Sequence, residues 1–174
     1  QFDLFKGYKA ELHISGDLFS ISDNCGGIPE QYIDDAFVLG RPSIEKDGDI
    51  PTIGMFGIGM KRAIFKLGNS ANVTSRSNDV NFSVDYTSEW LNPENPEWKL
   101  PLTTVDGKKT EPKGVSIKID NLKPAVARDF SNKSWISDLK QKVAEHFGYL
   151  IQRGFQIVIN DENIRSSTVP VYLT

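Results

Sequence analysis

The chain has 174 residues, 39% hydrophobic and 25% charged, which suits one globular domain that buries a core without staples. A formal net charge of -3 gives no support to a broad basic nucleic-acid surface, and the single cysteine, Cys25, excludes an intrachain disulfide and points to a reducing, cytoplasmic setting. No apolar run approaches bilayer length and no signal-peptide pattern is read, so no membrane role is expected.

In chain order, Ala10–Ile14 and Leu18–Ser22 predict a β-hairpin around Gly16-Asp17, its second arm running into Asp23. Pro29 suits the first turn of a helix, where its missing N–H is no loss. Tyr32, Ile33, Ala36, Phe37 and Leu39 follow at helical spacing. Residues 40–53, with Pro42, Gly48 and Pro51, predict a mobile polar loop. Met60–Leu67 predicts an amphipathic helix with Ala63, Ile64 and Leu67 inward and Gly68 as its C-cap. Asn72–Arg76 and Val80–Tyr86 predict a strand pair around Ser77-Asn78-Asp79. Glu89–Lys113 holds four prolines and predicts a long surface excursion, pinned to the body by Trp90 and Trp98. Val115, Ile117 and Ile119 alternate with polar residues as a half-buried strand. Trp135/Ile136, Leu139, Val143, Phe147 and Leu150/Ile151 form one stripe of helical period ending at Gly154, with His146 on its apolar side. Phe155–Ile159 predicts a last strand before a turn at Asn160-Asp161. Hairpins outnumber βαβ units. The predicted class is therefore α+β: a two-layer α/β sandwich, its sheet mostly antiparallel, with helices on one face.

Two glycine-rich turns carry the chemistry. Asp23-Asn24-Cys25-Gly26-Gly27-Ile28 puts one carboxylate at a strand end with glycines just beyond it. Such a group can accept a hydrogen bond from an exocyclic amine, as adenine offers at N6. Gly26 and Gly27 remove Cβ atoms, so a flat base can lie close to the backbone. The same residues also suit a plain Asx-turn. Gly54-Met55-Phe56-Gly57-Ile58-Gly59-Met60-Lys61 opens the Met60–Leu67 helix. Free N–H groups at a helix start attract phosphate, glycines let the backbone wrap it, and Lys61 and Arg62 add positive charge. The plainer alternative is a glycine loop needed for packing, with Lys61 and Arg62 solvated. No P-loop pattern occurs. His13 and His146 have no neighbours at metal-ligand spacing, so no metal residue is assigned. Cys25 near a helix start could be a reactive thiol, but no acid–base partner is evident.

Asp23–Ile28 resembles the Asp-x-Gly-x-Gly adenine motif of the GHKL superfamily, which includes DNA gyrase B, Hsp90, histidine kinases and MutL-type proteins. Gly54–Gly59 resembles that family's Gly-x-x-Gly-x-Gly motif. Gly114–Ile119, ending at Leu122, is similar to its later Gly-Thr strand motif. The resemblance spans residues 9–122 and implies the Bergerat fold, with its left-handed βαβ unit, and ATP bound with Mg²⁺. It implies Asp23 as the acceptor for adenine N6, with Gly27 and Ile28 beside the base. It implies residues 40–53 as an ATP lid, and Gly54, Phe56, Gly57, Ile58, Gly59, Met60 and Lys61 as the phosphate cradle. Residues 1–122 then form the ATP-binding core, and 123–174 a helix–strand extension packed on the same domain.

This chain departs from the pattern in three places. Cys25 stands where the motif's first glycine is usual, at no cost only if its φ is negative. Val115 stands where threonine is usual, so a hydroxyl near Asp23 is missing, with Thr52 or Thr74 as substitutes. The family's first motif, a helix whose Glu activates water and whose Asn binds Mg²⁺, should precede residue 1; Glu11 lies on the hairpin and cannot take that role. The chain begins with Gln and is expected to be a fragment or processed form, weak in nucleotide binding and without catalytic residues of its own, of a full-length ATPase. The continuation through Phe155–Ile164 is similar to Hsp90-, MutL- and MORC-like ATPases. It implies an ATP-operated machine that binds ATP or ADP, forms a homodimer with ATP, and handles DNA or a client protein through other domains. A histidine-kinase-like catalytic domain and a degenerate, non-catalytic interaction module are the alternatives.

Overall fold

The hairpin forms because two alternating runs meet across a glycine turn. β1 (Lys9–Ile14) and β2 (Leu18–Asp23) pair antiparallel, Ala10 opposite Asp23 and Ile14 opposite Phe19. The computed structural model describes residues 3–37, 59–87, 89–90, 100–105 and 112–167. Within these, β3 (Gly68–Arg76), β4 (Asn81–Tyr86), β5 (Leu102–Thr104), β6 (Gly114–Leu122), β7 (Gln156–Ile159) and β8 (Glu162–Asn163) join the hairpin in one sheet. The strand order is β5-β4-β3-β6-β2-β1-β7-β8, and only β1 and β7 run parallel. The α+β class and the mostly antiparallel sheet are as the sequence predicts.

Alternation decides which face is covered. Ala71, Val73 and Ser75 on β3 and Phe82, Val84 and Tyr86 on β4 are buried. The intervening residues carry a polar network on the other face. Asn72 Nδ2 donates to Ser83 Oγ and to Asp85 Oδ1, both at 2.7 Å, and Thr74 Oγ1 donates to Asn72 Oδ1 at 2.9 Å. Among the described residues, five helices cover the apolar face: α1 (Ile33–Phe37), α2 (Gly59–Leu67), α3 (Pro124–Phe130), α4 (Lys133–His146) and α5 (Gly148–Gln152). Ile64 of α2 is fully buried on Val73, Phe82 and Ile119. A second cluster packs α3 and α4 onto Ile14, Ile157 and Ile159, and Phe19, Leu67 and Leu122 touch both clusters. Among the described residues, no helix is long and apolar enough to cross a membrane.

Several predicted features differ in detail. Pro29 is an extended N-cap (φ -62°, ψ 151°) to a 3-10 turn at Glu30–Tyr32, which precedes α1; Leu39 lies outside the described residues. Gly68 is not a C-cap but the first residue of β3. Glycine is required there by close approach, since a Cβ would lie 2.6 Å from both the Asp120 carbonyl and Ile119 Cγ2. The Glu89–Lys113 excursion contains β5, paired with β4, and Trp90 stacks edge-on against Tyr86 at 5.3 Å; Trp98 is outside the described residues. The single late helix is two, α4 and α5, broken at Phe147 (φ -102°, ψ 10°). His146 is exposed rather than packed, with Nδ1 2.8 Å from the Lys142 carbonyl. α3 was not predicted, although Pro124 at its first position and Val126 and Phe130 at i, i+4 spacing are legible helix signals. The Asn160-Asp161 turn is confirmed, both residues having positive φ (48° and 64°) as a two-residue hairpin turn demands.

Candidate functional site

Asp23 ends β2 where the sheet is tightest. A Cβ on Gly114, in neighbouring β6, would overlap the Asp23 carbonyl, so only glycine lets β6 start beside it. The Asp23 carboxylate takes the Asx-turn role: Oδ1 accepts from the Cys25 N–H at 2.7 Å. This uses a fraction of its capacity, because an ionised carboxylate has two oxygens and about four acceptor sites. Asn24, which the sequence did not single out, ties the turn to the chain ahead of the hairpin. Its Oδ1 accepts from Lys9 N–H at 2.6 Å and its Nδ2 donates to the Gly7 carbonyl at 2.7 Å.

Positive φ in this turn falls on Gly26 (110°) and Gly27 (75°), not on Cys25, so cysteine in place of the usual glycine carries no backbone strain. Partial burial, then the Asp23 charge and a hydrogen bond to it, push the Cys25 thiol up, although the residue is exposed overall. The thiol is thereby held protonated, against a reactive role. Gly27 is required twice, by its φ and because a Cβ would overlap the Arg76 carbonyl.

Beside Val115, the next strand carries a hydroxyl that holds Ile28 rather than Asp23. Ser75 stands opposite Val115 in the β3–β6 register, is fully buried, and its Oγ accepts from the Ile28 N–H at 2.7 Å. Thr74 does not substitute, because it faces the polar side and bonds Asn72; Thr52 lies outside the described residues. Ser75→Ala is expected to lower stability by roughly 1–2 kcal/mol, since Ile28 N–H loses its partner in a partly buried place. Urea unfolding of the two proteins measures it, and an unchanged midpoint would show that water replaces the hydroxyl.

Of the predicted phosphate cradle, Gly54, Phe56, Gly57 and Ile58 lie outside the described residues, as does the lid segment 40–53. Gly59 opens α2, one residue earlier than predicted. Met60 packs on the same core cluster as Ile28, so the start of α2 and the Asp23 turn share one wall of the core. Lys61 is 4% exposed, not solvated, and burial lowers its pKa below 10.5; Arg62 is exposed. Lys61 thus stands in the first turn of α2, at the positive end of the helix dipole. The acceptor capacity left on Asp23 suits an amine-bearing base. Among the described residues, no group of three or more His, Cys, Asp or Glu could hold a metal ion, and no magnesium ligand is assigned.

No curated protein matches the chain at a significant level. The family model for histidine kinase-, DNA gyrase B- and HSP90-like ATPases matches residues 10–118, from β1 into β6, and takes in both glycine turns. With that match over most of its length, and with this sheet and turn geometry, the chain belongs to the histidine kinase-, DNA gyrase B- and HSP90-like ATPases and carries a GHKL-type ATP-binding domain.

Proposed function

We propose that this domain is an ATP-operated conformational module, in which Asp23 reads the adenine amine and the Gly54–Gly59 turn with Lys61 holds the phosphates. The observation that carries it is the Asp23 turn. One carboxylate oxygen is anchored by Cys25 N–H, which leaves acceptor capacity for an exocyclic amine. Gly26, just beyond it, has open space where a Cβ would stand, while Gly27 packs on the Arg76 carbonyl and Ile28 N–H is held by Ser75.

Binding in this reading draws residues 40–53 over the nucleotide and promotes homodimerisation, with DNA or a client protein as the downstream partner. Magnesium accompanies ATP in this family, and no step is assigned to it here. We favour the machine over a histidine-kinase-like phosphotransferase because α3, α4 and α5 follow β6 and β7 then pairs with β1, extending the ATP-binding sheet.

Displacement of a fluorescent ATP analogue tests the reading. ATP and ADP are expected to compete, and GTP at least roughly tenfold more weakly, because its O6 presents an acceptor to a carboxylate. Equal competition by GTP, or no saturable binding, overturns it.

A further inference from the structure

A cavity of about 550 Å³ lies between the β1–β2 turn, the α3–α4 junction and the β7–β8 turn. It is at the opposite end of the hairpin from Asp23, about 17 Å away by strand rise, so it is not part of the nucleotide turn. Its volume is that of a small-molecule site, with a small apolar floor and mostly polar walls.

The floor is Ile14 (3% exposed) and Phe130 (6%), with Ile136 beside them. The walls are held firmly. Asn160 Oδ1 accepts from Ile14 N–H at 2.7 Å, and its Nδ2 donates to the Ile14 carbonyl at 2.9 Å. Gly16 lies against Ser131 so closely that a Cβ would overlap the hydroxyl.

The polar groups are not equally available. Both ends of the Asn160 amide are used, the Ser131 hydroxyl donates to the Ala127 carbonyl at 2.8 Å, and Lys140 pairs with Glu162 at 2.5 Å. The first amides of α4 are taken by Asn132, whose Oδ1 accepts from Ser134 and Trp135 N–H, so the helix end itself offers little. Lys133 and Ser137 remain, with no hydrogen bond or ion pair to any described residue. Four residues apart on α4, they stand one turn from each other on the same wall. Both can donate, so the group they suit is an acceptor with negative charge. Glu162 on the opposite wall disfavours a second negative charge.

We propose that this cavity binds a small monocarboxylate with an apolar body, the body on Ile14, Phe130 and Ile136 and the carboxylate on Lys133 Nζ and Ser137 Oγ. The nucleotide reading is not needed for it.

Backbone amide NMR spectra of the whole chain, titrated with hydrocinnamate and with its neutral amide hydrocinnamide, test the assignment. Saturable shifts are expected at Ser15, Gly16, Ser131, Lys133 and Ser137, with the carboxylate roughly tenfold tighter than the amide. Lys133 is exposed, so Lys133→Gln leaves the core intact; it is expected to abolish the tenfold preference and leave hydrocinnamide binding unchanged. Equal affinities, scattered or non-saturating shifts, or a preference that survives Lys133→Gln overturn the proposal.

Discussion

Asp23→Asn is expected to weaken ATP binding by on the order of 10- to 100-fold while leaving the fold intact. The substitution separates the two roles of this side chain. Asparagine keeps an Oδ1 to accept from Cys25 N–H, so the turn that now rests on a 2.7 Å bond survives. Its second group is an amide NH₂, which faces the adenine amine donor to donor. The loss is therefore at the base, not in the backbone, and the urea midpoint should move little. Displacement of a fluorescent ATP analogue, with unfolding as control, reads both. Undiminished ATP binding by Asp23→Asn would mean that the carboxylate is only a turn former and that the base is read elsewhere. Asp23→Ala should lose both roles together, lowering stability as well as binding.

Between pH 10 and 12 the folded state should lose on the order of 2 kcal/mol through Tyr86 alone. Burial raises its phenol from 10.0 to about 12, and its side chain is 2% exposed beneath Trp90. Below pH 10 the phenol is neutral in both folded and unfolded chains and costs nothing. As pH rises toward 12 the unfolded chain ionises first, so unfolding is favoured progressively. Lys61 works in the opposite direction, because burial lowers its pKa and the cost of its buried charge is relieved at high pH. A single wild-type curve mixes the two, so the comparison is with Tyr86→Phe. The hydroxyl has no hydrogen-bond partner among the described residues, so its removal should be neutral or stabilising by up to about 1 kcal/mol at pH 7. The stability difference between the two proteins should then widen above pH 10. Parallel urea-unfolding curves across that range would instead place water on the phenol.

The local features were legible because they rest on short-range chemistry. The Gly16-Asp17 hairpin, the Asp23 strand end, the α2 stripe around Ile64 and the Asn160-Asp161 turn each follow from neighbours a few residues apart. Periodicity also predicted the antiparallel sheet with one covered face. The stripe from Trp135 to Ile151 misled for the same reason: periodicity continues across the break at Phe147, which is a backbone event and not a change of pattern. Gly68 misled in the opposite way. A glycine after a helix normally caps it, whereas here Asp120, distant in sequence, leaves no room for a Cβ.

By itself, the amino-acid order determined the class of the fold, the carboxylate and glycine pattern of the Asp23 turn, and membership of an ATPase family. Only the tertiary structure decided how the turn is completed. Ser75 reaches Ile28 across 47 residues and fixes its N–H from β3; Asn160 locks Ile14 across 146 residues and builds the distant cavity. Strand order and register bring such partners together, and these are set by burial over the whole sheet, which no local window of sequence contains.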